Sequence, residues 1–236
     1  MRILVIDQCS KQKEYPDNVS PLGTDVLDAH SLDELQARDD TPAIEARELY
    51  TGRQQRKITE GIRMLEQGGH EVERYFISAG FGFVEDTERL PPYDVTFAEM
   101  SDAEIDERAE QLGIADDVQA FLETELPYDI VYFALGKDYY RSINLEATLR
   151  RVPDESIGLV FNQDDDVEQF SNVVSLSARN EEAKQFETIV VALKGEYLKN
   201  LARSLARSQP VPNKSEIVDY CTSKKSSQVG FTNFNE

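Results

Sequence analysis

Five short apolar runs, each closed by a turn and separated by stretches with helical spacing, limit what this chain can become. Residues 3–6, 71–78, 129–135, 157–161 and 173–176 have the length and composition of strands. Between them lie amphipathic stretches. Ile58, Ile62 and Leu65 share one face of a helix over residues 51–67, which Gly68-Gly69 ends. Ser101-Asp102-Ala103-Glu104 is a capping box for a helix to about residue 112, and a further helix spans 115–126. Alternation of this kind predicts an α/β fold, with a mixed or largely parallel sheet flanked by helices.

Other elements follow from local chemistry. Thr41-Pro42 reads as a helix start, with Thr as N-cap and Pro at the first helical position. Residues 14–40 read as a long loop with a short helix near 32–37, and a helix is expected over 139–150. The longest helix is expected over 180–207, from the stripe Ala183, Phe186, Val190, Leu193, Tyr197, Leu201 and Leu205. The organisation is then an α/β domain over 1–178, a long C-terminal helix over 179–208 and a polar tail over 209–236.

Charge and cysteine content narrow the class. The 236 residues carry a formal net charge of -20, spread over nearly every helix and loop. That pattern suits a solvated surface in a salt-loaded cytoplasm, where screening weakens long-range repulsion of nucleic acid. Cys9 and Cys221 are too few and too distant to form a disulfide framework. No apolar run reaches membrane-spanning length, and the N-terminus enters a strand directly, without a signal-peptide layout. A cytoplasmic protein without a membrane partner is expected.

Four strand-end loops carry candidate chemistry. Cys9-Ser10-Lys11, with Lys13, places a thiol, a hydroxyl and amines after the first strand. It reads as an activated nucleophile, as an anion-holding loop, or as an ordinary polar loop around an inert cysteine. Tyr50-Thr51-Gly52 precedes Arg53, Arg56 and Lys57; Thr51 can cap a helix whose N-terminus attracts an anion. Ser78-Ala79-Gly80-Phe81-Gly82, followed by Pro91-Pro92-Tyr93-Asp94, is either a ligand-shaping loop or a tight turn. Gly136-Lys137-Asp138-Tyr139-Tyr140 follows the third strand, so Lys137 and Tyr140 join the same sheet end if the strands are parallel. Asp164-Asp165-Asp166 reads as a solvated acidic loop, and His30 and His70 lack ligand spacing, so no metal is expected. Lys199, Arg203 and Arg207 form a basic stripe. No Walker loop, dinucleotide fingerprint or Ser-His-Asp set is present, and no cofactor is expected.

Taken in order, Cys9-Ser10-x-x-Lys13, Ala46-Arg47-Glu48-Leu49-Tyr50-Thr51-Gly52 with Arg56-Lys57, Phe76-Ile77-Ser78-Ala79-Gly80-Phe81-Gly82 and Pro92-Tyr93-Asp94 resemble a family of uncharacterised prokaryotic and phage proteins defined by a domain of unknown function, DUF6884. That family is similar to the YaaA peroxide-stress proteins, which carry a Tyr-Thr-Gly, a Ser-Gly-x-Tyr-Gly turn and a Pro-Tyr pair in the same order. The resemblance covers about residues 1–150. Phe81 stands where the relatives often place Tyr, and Gly136 replaces a common Ser. The resemblance implies DNA binding and protection under oxidative stress, or a companion role in nucleic-acid modification.

The expected function is therefore handling of nucleic acid or a nucleotide-like ligand, with cleavage or exchange at a glycosidic bond as the candidate reaction. Asp94, Cys9 and Ser78 are the candidate catalytic residues. Ser10, Lys11, Lys13, Tyr50, Thr51, Gly52, Arg53, Gly80, Gly82, Tyr93, Lys137 and Tyr140 are the candidate ligand-binding residues; Lys11 and Arg53 would hold phosphate and Tyr93 would stack on a base. The alternatives are a non-catalytic DNA-binding stress protein, or an interaction subunit that docks through the C-terminal helix.

Overall fold

A computed structural model describes residues 1–124, 127–205 and 210–223. Leu126, Arg207 and the tail from 224, on which sequence expectations fall, lie outside the described residues. The strands are β1 (Arg2–Gln8), β2 (Ile44–Glu45), β3 (Glu71–Ser78), β4 (Gly82–Glu85), β5 (Arg89–Leu90), β6 (Ile130–Ala134), β7 (Ile157–Phe161) and β8 (Val173–Leu176). Six of them form one sheet in the order β4-β3-β1-β6-β7-β8, and β2 pairs with β5 apart from it. All neighbours in the large sheet are parallel except β3 and β4.

Strand alternation builds two cores. Leu4, Ile6, Val131 and Phe133 face one side; Ile3, Val5, Ile130 and Tyr132 face the other. The chain leaves β1, runs through the helix Arg53–Gln67 on the second side, and returns as β3. From β6 it runs through Lys137–Ser142 and Leu145–Leu149 on the first side, and returns as β7. The winding therefore reverses between β1 and β6. This is the doubly wound 3-2-1-4-5-6 order, with an antiparallel strand at one edge.

The helix Val190–Leu205 packs beside Arg53–Gln67. Contact is close at two glycines. A Cβ on Gly195 would lie 2.3 Å from the Lys57 Cβ and 2.8 Å from its carbonyl carbon; one on Gly61 would lie 2.9 Å from Leu198 Cγ. Lys57 meeting position 195 and Gly61 meeting 198 makes the pair parallel, so both N-termini stand at the carboxyl edge of the sheet.

Several local expectations give way to tertiary partners. Thr41-Pro42 does not start a helix. Residues 44–45 pair with β5, and only Ala46–Leu49 is helical, because the Ala46 and Arg47 N–H groups bond to Glu88 O and Asp86 O. The helix expected over 139–150 is two, broken at Asn144 with φ 49°, a conformation Asn tolerates better than most residues. The long C-terminal helix is Asn180–Gln185 followed by Val190–Leu205, broken at Glu187 with φ 51°. The break lets Phe186 turn edge-on to Tyr197, with ring centroids 5.2 Å apart. Part of the expected tail is the helix Lys214–Thr222, opened by a capping box of Asn213 and Glu216 that buries Ile217 and Cys221. The stretch read as loop before residue 32 holds the helix Thr24–Ala29.

Lys194 is an uncommon passenger in this second core. Its Nζ donates to Leu135 O and lies 5.8 Å from the Phe161 ring centroid. Burial lowers its pKa from 10.5 to about 8, against the pull of Asp7. The unfolded chain therefore holds this proton to higher pH than the folded one. Stability should rise with pH between about 8 and 10.5, the interval set by the two values. The expected gain is at most roughly 3 kcal/mol. Urea unfolding of the wild type and of Lys194→Met at pH 7, 9 and 10.5 checks it: the rise should be absent from the variant, and an equal rise in both would overturn the assignment.

Candidate functional site

The four strand-end segments meet at the carboxyl edge, and they are joined mainly through hydroxyls. Tyr50, Ser78 and Tyr93 form a closed ring: Tyr50 Oη donates to Ser78 Oγ at 3.1 Å, Ser78 Oγ lies 2.8 Å from Tyr93 Oη, and the two tyrosine hydroxyls are 2.8 Å apart. All three residues are buried. Burial and the nearby Cys9 push both tyrosine pKa values up, so the ring is neutral at ordinary pH. Ser78 Oγ also accepts from the N–H groups of Gly80 at 3.2 Å and Phe81 at 3.1 Å. Ser78 is thus fully hydrogen-bonded and has no exposure, an arrangement that fixes a turn and does not activate a nucleophile.

That turn is the β3–β4 hairpin, in which Ser78 pairs with Gly82, at φ 78°. Gly80 is there for space: a Cβ would stand 2.7 Å from Tyr93 Cε2. Tyr93 also meets Phe81 edge-on at 5.1 Å, and the Lys13 ammonium lies 4.2 Å from its ring centroid. At 1% exposure, Tyr93 offers no open face for a base. Lys13 pairs with Tyr50 through the main chain. Burial lowers the Lys13 pKa, opposed by Cys9, Asp94 and Glu99.

The β1 loop supplies the rest. Cys9 is buried, with Sγ 3.1 Å from Tyr139 Oη, and its N–H continues the pairing to β3 through Ile77 O at 2.9 Å. Ser10 donates to Gln12 O and accepts from Gly52 N at 3.3 Å. Gly52, and not Thr51, is the N-cap of Arg53–Gln67, and it makes no side-chain cap bond. Thr51 Oγ1 is buried there without a hydrogen-bond partner. Lys11 is exposed and paired with Glu99, which raises its pKa. Asp94 is exposed and close enough to act electrostatically on Lys11 and Lys13.

The remaining candidates spread outward. Arg53 is exposed and, with Arg56 and Lys57, lines a cleft of about 440 Å³ next to Ile189 and Ala192. Gly136 N donates to Gln8 Oε1 at 2.6 Å, which ties the β6 loop to the end of β1, and Lys137 stands exposed beyond it. Tyr140 turns away: its hydroxyl donates to Phe133 O and accepts from Phe161 N, both at 2.9 Å, and stitches β6 to β7. Its neighbour Tyr139, absent from the sequence-based set, is the tyrosine that reaches Cys9.

Sequence reading also missed the polar floor. Asp7 Oδ2 is 2.6 Å from Arg74 Nη2, and Gln54 Nε2 lies 2.6 Å from both Asp7 Oδ1 and Ala134 O. Gln55 Nε2 bonds to Gln8 O at 2.8 Å. The available signal was an aspartate closing an apolar run and an arginine inside another. Among the described residues no group of three or more His, Cys, Asp or Glu is placed to hold a metal ion, and no helix is long and apolar enough to cross a membrane.

Removing one partner of the Asp7–Arg74 pair leaves a buried charge unpaired. Arg74→Met should cost about 3–5 kcal/mol, and adding Asp7→Asn should recover part of the loss. Urea unfolding of both variants checks this, and a double variant no more stable than Arg74→Met would count against the pair as the source of the cost.

No protein-family model, curated protein or solved structure matches this chain.

Proposed function

We propose that the chain binds a phosphate-bearing, nucleotide-like ligand in the crevice between the loops after β1 and β6, and serves nucleic-acid or nucleotide chemistry from there. One observation carries the reading: the winding reverses between β1 and β6, and the Cys9–Lys13, Tyr50–Gly52 and Gly136–Tyr139 segments meet at that point. Doubly wound sheets leave a ligand crevice at such a reversal. The first N–H groups of the helix Arg53–Gln67, which have no acceptor within the helix, stand there beside Arg53 and favour an anion. Thr51 Oγ1, buried without a hydrogen-bond partner, lies next to that helix start.

The reaction we assign is cleavage or exchange at a glycosidic bond, with Asp94 as the carboxylate facing an oxocarbenium-like centre. Its exposure, and its proximity to Lys11 and Lys13 of the β1 loop, support the role. Ser78 and Tyr93 hold the hairpin, and Tyr139 positions Cys9. The segments that resemble the DUF6884 and YaaA proteins are the ones that meet here, which supports kinship with them. We place the protein in the cytoplasm, and the free thiols of Cys9 and Cys221 support that setting. The reading as a duplex-binding protein has less behind it. Lys57 and Lys199 are already held by Glu60 and Glu196 within the fold.

Thermal shift with nucleosides, nucleotides and short DNA at high salt tests the site. A nucleotide should raise the Tm of the wild type, and Arg53→Ala should weaken its binding by about tenfold. Asp94→Asn should keep binding and abolish release of free base. Stabilisation by DNA alone, unchanged in Arg53→Ala, would remove the crevice from consideration.

A further inference from the structure

A second concavity lies on the outer flank of the helix Arg53–Gln67, on the side away from Val190–Leu205. It has a volume of about 340 Å³, and its walls include Arg47, Thr59, Arg63, Glu66, Arg74 and Asp86. That is the small end of the range of roughly 300–1,000 Å³ for ligand pockets, the scale of a simple metabolite.

Arg74, one of the lining residues, carries a buried donor in need of an acceptor. Arg74 is 4% exposed, and its Nη groups are used: Nη2 on Asp7 at 2.6 Å and Nη1 on Thr59 Oγ1 at 2.9 Å. Its Nε is buried with no hydrogen-bond partner. A buried N–H on a guanidinium left unpaired costs on the order of 1–3 kcal/mol, so an oxygen brought to it gains binding energy. Arg63 stands exposed on the same wall and offers a second guanidinium to that oxygen.

The opposite requirement sits across the cavity. Asp86 is half-buried, and burial raises its pKa even though Arg74 and Arg47 pull it down. Arg47 and Arg74 line the same cavity but are paired with Glu45 and Asp7, so among the described residues Asp86 has no ion-pair partner, and Glu66 adds a further negative charge to the wall. A simple oxyanion would satisfy the arginine side and be repelled by Asp86 and Glu66. A simple amine would do the reverse.

We propose that this cavity binds a small zwitterion of the α-amino-acid class, its carboxylate on Arg74 Nε and Arg63 and its ammonium on Asp86. The site is separate from the crevice between β1 and β6, and it stands or falls without the nucleotide reading. Arg74 joins the two places, because the guanidinium that lines the cavity also holds Asp7 under the crevice.

The test is a thermal-shift and calorimetric screen of the full chain with the common α-amino acids, beside acetate, methylamine and inorganic phosphate as single-charge probes. Arg63→Ala and Asp86→Asn serve as variants, since neither side chain belongs to the core. At least one amino acid should raise the Tm of the wild type, the single-charge probes should not, and each variant should bind it about tenfold more weakly. Failure of every amino acid to stabilise the wild type would overturn the proposal. So would equal stabilisation by inorganic phosphate, or affinity unchanged in both variants.

Discussion

An aspartate with no solvent exposure at the end of a central strand must be held from several directions, and Asp7 is. Arg74 reaches it from β3, Gln54 from the first turn of the helix Arg53–Gln67, and the Gln8 N–H closes on it at 2.8 Å. Gln54 also bonds to Ala134 O on β6. One carboxylate thereby fixes the mutual position of both neighbours of β1 and of the helix that begins at the crevice. Buried ion pairs seldom add net stability over apolar residues, yet they penalise every arrangement that leaves them unpaired. The pair therefore specifies where the helix start sits relative to the two strand ends.

The hydroxyl ring plays the same part for the loops. Tyr50, Ser78 and Tyr93 come from three separate segments, and each polar atom has its partner in the other two. The ring is neutral and closed to solvent, so it positions the edge without joining the chemistry there. The groups left outward at that edge are of another kind: Lys11, Arg53, Asp94 and Lys137 are all exposed. Neutral, hydrogen-bonded groups thus lie beneath and exposed charged ones above.

The strands were legible because their patterning is local. Residues 157–161 and 173–176 have the same limits in the sequence and in the structure. The capping box at Ser101 was equally readable. What escaped was set by partners distant in the chain. Thr41-Pro42 has a helix-start signature, but β5 claims the residues after it. Asn144 and Glu187 interrupt stretches with unbroken helical stripes, since a single residue at positive φ leaves little trace in periodicity. At the carboxyl edge, the loops singled out in the sequence do come together, while individual side chains face otherwise than expected. Tyr139 and Tyr140 are adjacent, and only helix phase decides which one reaches Cys9 and which one stitches the sheet. The Asp7–Arg74 pairing spans 67 residues, so each charge shows within its own apolar run but nothing local joins the two.

The two glycine contacts between the parallel helices differ in a way that bears on descent. At position 195 the obstacle includes the main chain of Lys57 and Ile58, which no change of side chain removes. At position 61 the nearest obstacle is the Leu198 side chain. Lineages that keep this helix pair are therefore free to exchange bulk between positions 61 and 198, one growing as the other shrinks. Position 195 has no such partner, so the close pairing of the two helices requires glycine there.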